Sequence, residues 1–293
     1  MSQEQKWIGR TYGNQTMHKW LIFLLKFVNV RLLYIFSSVF VIPICLIVNK
    51  SSRIIYKYFR ERLRYNVFKS FWKTYINHCL FGQSVIDKFA MYAGKKFKIE
   101  IEGYEYFDFL AKQKEGFIQL SSHIGNYEIA GYSLVAKDKP FNALLFFGEK
   151  ESVMTNRNKM FASTNIKMIP VRSDIGHLFE INAALLNGEI VSIPADRIWG
   201  SNKNIYIDFL GAKAKFPIGP FYIATMKEVN VLTVHVMKIA TTKYKIYITP
   251  LQYDKTISRK EQINELADKY IKELERILKL YPTQWYNFFK FWE

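Results

Sequence analysis

Cysteine is nearly absent. Two occur in 293 residues, Cys45 and Cys79, far apart and each in apolar surroundings. Neither a disulfide framework nor a zinc spacing can be drawn from them, which fits a reducing compartment better than an oxidising one. Acidic residues are also scarce, 25 Asp and Glu against 42 Lys and Arg, for a formal net charge of +17. That surplus points to an anionic partner: nucleic acid, an anionic membrane, or an acidic or phosphorylated substrate. The bland reading is a solvated basic surface. No DNA- or RNA-binding signature accompanies the charge, so a nucleic-acid role is not expected. No Gly-x-Ser-x-Gly elbow occurs, which counts against a serine hydrolase. There is no internal repeat and no low-complexity linker. The stretch Met1–His18 is too polar to form the core of a signal peptide.

What the chain does have is apolar mass, with 49% hydrophobic and 17% aromatic residues. A disordered chain is excluded, and the length suffices for one large domain or two small ones. From Trp20 to Val48 the sequence is strongly apolar, interrupted only by Lys26 and Arg31. Its longest uncharged run, Leu32 to Asn49, contains Pro43 and is near the ~20 residues a membrane span needs. A span, a re-entrant or interfacial helix and a buried hairpin all remain open. Lys50 to Lys73 carries eight Lys or Arg and only Glu61. Positive residues beside an apolar segment favour the cytoplasmic side and anionic headgroups. Residues 54–93 read as helical, with Tyr58, Tyr65, Phe68, Trp72 and Tyr75 at spacings typical of core or interface packing. Two regions are therefore expected: 1–93, helical and membrane-associating, and 94–293, a catalytic domain.

In the second region β-type runs recur at Phe97–Glu102, Phe117–Ser121, Ala143–Phe147, Lys167–Val171, Ile190–Pro194, Val229–Val236 and Tyr244–Thr249. Helix-type segments lie between several of them, among them Asp174–Asn187, closed by Gly188, and Pro217–Glu228. The alternation predicts an α/β domain with a central mixed sheet flanked by helices. Ser258-Arg-Lys-Glu261 is a capping-box sequence. The helix it opens should bury Ile263, Leu266, Tyr270, Leu274, Ile277 and Leu278, and end before Pro282.

One loop carries the chemistry. After the run Gly116–Leu120 come Ser121, Ser122, His123, Ile124, Gly125, Asn126, Tyr127 and Glu128. Residues five apart on a regular helix sit about 140° apart around its axis, so His123 and Glu128 would not face each other there. His123 is expected on the loop leaving a strand, Gly125 in the turn, Asn126 as a cap and Glu128 in the first helical turn. In that geometry Glu128 can fold back to fix the imidazole tautomer, leaving the other ring nitrogen to take a proton from a hydroxyl. A His-x4-acid pair is short enough to arise by chance among 5 His and 25 acids. A strand-end histidine bonded to backbone is the ordinary alternative.

Three further blocks follow in order: Met168-Ile-Pro-Val-Arg172, Ser192-Ile-Pro-Ala-Asp196-Arg197 and Val229–Val236. With the His-x4-acid they resemble the blocks of the lysophospholipid acyltransferase superfamily, and most closely the bacterial lipid A late (lauroyl/myristoyl) acyltransferases. The likeness extends from the Trp7-Ile-Gly-Arg-Thr opening to Trp285-Tyr-Asn-Phe-Phe, and includes Phe216-Pro-Ile-Gly-Pro220. It implies a membrane-associated acyltransferase with His123 as general base and Glu128 as its orienter. The acyl group would come from a thioester, on acyl carrier protein or coenzyme A, with no cofactor and no metal. The acceptor would be the hydroxyl or amine of a membrane lipid, at the cytoplasmic face of the inner membrane. Arg172 and Arg197 would bind an anionic group, and Asp196 would either touch substrate or orient Arg197. Backbone N–H groups of Gly125 and Asn126 would be available to an oxyanion. Arg157 and Lys159 fit a solvated face or a donor-docking surface. Two features depart from the pattern: Pro194-Ala-Asp-Arg197 replaces an acid-Gly-Thr-Arg block, and the basic cluster after the tryptophan, Trp285, is reduced to Lys290. Two other readings stand beside this one: a non-catalytic basic protein of the membrane surface, and a serine-dependent lipid hydrolase using Ser121 or Ser122.

Overall fold

A computed structural model describes residues 15–49, 51–134, 139–146, 155, 165–171, 175–198 and 203–292. Its centre is a seven-stranded sheet. In chain order the strands are β1 (Lys98–Glu102), β2 (Phe117–Ser121), β3 (Phe141–Phe146), β4 (Ile166–Val171), β5 (Ile190–Pro194), β8 (Asn230–Ala240) and β9 (Lys243–Pro250). Across the sheet the order is β1-β9-β8-β2-β5-β3-β4. From β8 through β4 every pair is parallel, whereas β9 runs antiparallel to β8, with β1 parallel to β9. The sheet is therefore mixed, as its sequence implies. The two central strands explain their apolar character: all of β2 is buried, and so is β8 from Val231 to Lys238. Strands covered on both faces read as continuous hydrophobic runs.

Helices α6 (Tyr104–Lys112) and α7 (Glu128–Ser133) cover one face, where Phe107, Leu110, Ile129 and Ala130 meet Phe117, Leu232 and Val234. The other face carries α8 (Gly176–Leu186), α9 (Gly219–Met226) and α10 (Arg259–Leu280). Helix α10 opens with the expected capping box: the Ser258 side chain accepts the Glu261 N–H, and the Glu261 side chain takes the Ser258 N–H. Its apolar stripe is buried from Ile263 to Leu278, each large side chain contributing about 1.5–3 kcal/mol of burial.

One hairpin was not anticipated. β6 (Asn204–Phe209) and β7 (Ala212–Pro217) pair antiparallel around a two-residue turn, Leu210 and Gly211, with φ of 51° and 78°. The usual Asn-Gly signal is missing. Leu210 holds its left-handed conformation with its N–H bonded to Glu275 Oε1 at 2.7 Å.

The described part of the N-terminal region is mostly helical. Helix α1 (Gln15–Phe27) is followed by a continuous rod, Val30–Val48, made of α2 (Val30–Phe36), a π-helical turn Ser37–Val41 and α3 (Ile42–Val48). Pro43 explains the π turn: a proline inside an α-helix lacks a donor and clashes with the preceding turn. The helix widens just before it, with the Ile42 N–H bonding to Ser37 O. The stretch 54–93, read as helical, is divided. Helix α4 (Ser51–Lys57) runs into a second π turn, Tyr58–Arg62, and α5 (Val67–Tyr92) restarts after a break. At the break Arg64 takes φ 53°, and the Asn66 side chain caps α5 by accepting the Lys69 N–H at 2.9 Å. The boundary expected at residue 93 falls between α5 and β1. Residues before it nevertheless share the sheet's core, since Ile55, Tyr58 and Phe59 pack in the same cluster as Leu120 and Trp285.

Candidate active site

The site forms where α/β sheets place their ligands, beyond the carboxyl ends of parallel strands. Strands β2 and β5 are neighbours in register, Ser121 opposite Pro194. The loops that leave them, 122–127 and 195–198, therefore lie side by side. His123 comes from the first and Asp196 from the second. The His123 ring Nδ1 is 2.8 Å from Asp196 Oδ1, and the His123 backbone N–H donates to Asp196 Oδ2 at 2.8 Å. One carboxylate thus fixes both the ring and the backbone of the histidine. With Nδ1–H donating to it, Nε2 carries the lone pair.

Why the loop turns here is set by Gly125. Its φ is 70°, and a Cβ would lie 2.0 Å from the Val236 carbonyl oxygen, so only glycine fits. The close approach is held by two bonds, Gly125 N–H to Gln284 O at 2.7 Å and Asn126 N–H to Val236 O at 2.8 Å. Both amides are committed to protein carbonyls. That corrects the expectation that Gly125 and Asn126 offer free N–H groups to an oxyanion. The Asn126 side chain is buried and its Nδ2 donates to Tyr244 Oη at 3.3 Å.

Glu128 opens α7, as expected, but its carboxylate faces α5. Lys88 Nζ is 2.8 Å from Glu128 Oε1, and Tyr92 Oη donates to Oε2 at 3.4 Å. The turn at Gly125, stitched to β8 and to the 284–286 segment, aims the first residue of α7 at that helix. The contact with the His123 ring that is expected of Glu128 is made instead by Asp196, at Nδ1. Asp196 itself, expected to touch substrate or to orient Arg197, does its bonding to His123.

Arg197 is 8% exposed, and its Nη2 donates to Tyr286 O at 2.9 Å with the guanidinium 5.5 Å from the Phe289 ring centre. Burial pushes its pKa down to about 10, against the pull of Asp196. It works from inside the wall of the site rather than from its surface. Arg172, Arg157 and Lys159 lie outside the described residues. Ser122 Oγ is 3.2 Å from His235 Nδ1, both side chains are buried, and Ser121 O accepts the Tyr270 hydroxyl at 2.9 Å. The Ser122 hydroxyl is directed to the interior, away from the role a hydrolase nucleophile needs.

Electrostatics sets the protonation states. Burial lowers the His123 pKa, and the nearby Arg197 charge lowers it further, while Asp196 opposes both. The imidazole is neutral at neutral pH. Burial alone would raise the Asp196 pKa, but His123 and Arg197 hold it below the usual carboxylate range. The arrangement is thus an ionised carboxylate, a neutral imidazole whose lone pair is on Nε2, and a buried cation behind them. Such a pair can accept a proton from a hydroxyl or amine brought to Nε2 and return it later. Among the described residues no three His, Cys, Asp or Glu side chains come together to hold a metal. Sequence reasoning did not find Lys88, Tyr92 or Gln284; each reaches the loop across the fold and carries no local signature.

Residues 64–293 match the sequence profile of the family described as "Bacterial lipid A biosynthesis acyltransferase". A search of curated proteins gives no match. Among solved structures the chain is similar to the 1-acyl-sn-glycerophosphate (LPA) acyltransferase PlsC from Thermotoga maritima. That likeness has 18% identity and a TM-score of 0.41, covering 90% of this chain and 98% of the other.

Proposed function

Because the chain belongs to the bacterial lipid A biosynthesis acyltransferase family, we propose that it moves a fatty acyl group from a thioester to a membrane lipid, with His123 as base. The protein is an acyltransferase of lipid biosynthesis. The single observation that carries the mechanism is the pair of hydrogen bonds that Asp196 accepts from the ring and the backbone of His123. In the reaction, Nε2 takes the proton of the acceptor hydroxyl or amine as that atom attacks the thioester carbonyl. A tetrahedral oxyanion forms, the carbon–sulfur bond breaks, and the imidazolium returns the proton to the departing thiolate. The net result is one ester or amide bond formed and one thioester lost. General base catalysis of this kind contributes typically ~10²–10⁴-fold.

In this reading Asp196 is the orienter and Glu128 anchors the start of α7 against α5, so that the loop bearing His123 keeps its place. Arg197 holds the neighbouring segment through Tyr286 and keeps the imidazole neutral; Arg172 remains the candidate for an anionic headgroup. The donor is acyl carrier protein or coenzyme A, both supplied in the cytoplasm. The acceptor, lipid A-like or another membrane lipid, is met at the cytoplasmic face of the inner membrane. The apolar Val30–Val48 rod and the basic residues behind it supply apolar contact and attraction to anionic headgroups.

Comparative lipid mass spectrometry of a deletion strain, complemented with wild type or His123→Ala, tests the reading. One acyl chain should vanish from one lipid class and return only with wild type. Restoration by His123→Ala to more than a tenth of the wild-type level would remove His123 from the chemistry. An unchanged lipidome would favour the non-catalytic surface protein.

A further inference from the structure

The rod Val30–Val48 is long and apolar enough to cross a bilayer, about 28 Å at helical rise against ~30 Å of hydrocarbon. Its packing says otherwise. Both of its ends are fastened to the domain that carries His123.

At the first end, one turn into the rod, the Tyr34 hydroxyl reaches Asp87 on α5 and lies 3.3 Å from Thr241 O in the β8–β9 turn. Lys238 of β8 completes the cluster: its Nζ pairs with Asp87 and is 2.9 Å from the Tyr34 hydroxyl. The Tyr244 hydroxyl of β9 also donates to Asp87. All four side chains are buried, with Asp87 and Tyr244 at 0% exposure. In the middle, Tyr75 Oη on α5 donates to Ser38 O at 3.0 Å. Gly82 of α5 lets the two helices close; a Cβ there would stand 3.3 Å from Ser37 Oγ. At the far end, Ser52 Oγ bonds back to Leu46 O at 3.0 Å, and the chain enters the sheet's core within two turns. Ile55 and Phe59 are fully buried there, and the Tyr58 ring packs on Trp285 at 5.1 Å.

A crossing helix needs its ends on opposite sides of the bilayer. Here one end is held by a buried ion pair of β8 and α5, and the other by the aromatic core under β2. Between them α5 lies alongside, its Asn77 bonded to Thr283 O and Trp285 O. A folded, charged domain cannot follow both ends through hydrocarbon, where each unsatisfied polar group costs several kcal/mol. The opposite flank of the rod is exposed among the described residues. Leu32, Phe36, Phe40, Ile44 and Ile47 form one stripe at three- and four-residue spacing, each 56–85% exposed. Phe68, at the start of α5, is 87% exposed. A contiguous apolar stripe of this length marks a surface meant to be covered.

We infer that Val30–Val48 lies in the plane of one leaflet, its Leu32–Ile47 stripe in the acyl chains, and that N-terminus and catalytic domain share one side of the membrane. Burial of ~5–10 Å is typical of helices lying in the interface. The inference rests on the membrane part of the proposed function, and the test keeps the two apart. In full-length protein with Cys45→Ser and Cys79→Ser, single cysteines are placed at Met17→Cys, ahead of the rod, and at Lys213→Cys, exposed on the β6–β7 hairpin. Membranes are first washed in molar salt, then sealed right-side-out and inside-out vesicles are treated with a membrane-impermeant maleimide. Both cysteines should label from the same vesicle orientation. Labelling from opposite orientations means the rod crosses and overturns the inference. Where a cysteine variant fails to accumulate, alkaline phosphatase is fused in turn to the N-terminus and to the C-terminus of the wild-type chain: two fusions that agree, both inactive or both active, support the in-plane placement, and activity at one end alone refutes it. Protein released entirely by the salt wash would instead sink the apolar contact itself, and with it the membrane reading on which this rests.

Discussion

Replacing Asp196 by Asn is the sharpest test of how the site works, because it changes one oxygen to nitrogen and almost no volume. In the wild type, one carboxylate oxygen takes the His123 backbone N–H and the other the ring Nδ1, each at 2.8 Å. An amide has a single acceptor oxygen. If that oxygen keeps the backbone N–H, its NH₂ faces Nδ1 and can only donate to it. The imidazole must then carry its proton on Nε2, where the acceptor's proton should go. If the amide turns over, the backbone N–H of His123 is left without its partner and the loop loses its hold. Either way the base is lost. The expected fall in turnover is ~10²–10⁴-fold, about 2.7–5.4 kcal/mol at 1.36 kcal/mol per decade. The assay is acyl transfer in detergent or vesicles from a defined thioester, with circular dichroism to show that the variant is folded. Glu128→Gln serves as comparator. It disturbs the Lys88 contact on the far side of α7 and should cost less than Asp196→Asn. Turnover by folded Asp196→Asn above a tenth of wild type would refute the assignment. A Glu128→Gln defect deeper than that of Asp196→Asn would return the orienting role to Glu128.

Three further outcomes follow from buried charges. Turnover requires neutral His123, whose pKa is lowered by burial and by Arg197, so activity should fall only as pH drops below the ordinary imidazole range near 6.5. Arg197→Gln removes a positive neighbour, favours the imidazolium and should move that acid limb to higher pH; a pH–rate profile that stays put or moves down would deny the electrostatic link. Asp87→Ala leaves Lys238 buried without its carboxylate, and should cost ~3–5 kcal/mol of stability, read as a fall in denaturant midpoint in detergent. A loss under about 1 kcal/mol would mean that the cluster at Tyr34 does not hold the rod to the domain.

Much of this protein was legible along the chain because much of it is local. Alternation, caps and stop signals act within a few residues. The capping box at Ser258, the buried stripe of α10, the seven strands of the sheet and the turn at Gly125 are accordingly all visible before any fold is drawn. His123 could be placed on a loop after a strand, since a five-residue spacing to Glu128 is wrong for one helical face.

What no local signal reveals is which group lies on the far side of a hydrogen bond. Asp196 is 73 residues from His123, and the two meet because β2 and β5 are parallel neighbours with Ser121 opposite Pro194. Lys88 draws Glu128 to α5 across a shorter but still non-local gap, and Gln284 and Val236 take the amides that the sequence alone leaves open to an oxyanion. The Leu210–Gly211 turn escaped notice for the same reason: Glu275, from α10, bonds the strained residue. The apolar run is the clearest division between the two kinds of information. Hydropathy and length say that Val30–Val48 prefers lipid, and they describe a crossing helix and an in-plane one equally well. Only the tertiary contacts at Tyr34 and at Ile55–Phe59 decide where its ends are held, because that depends on which folded surface each end is packed against.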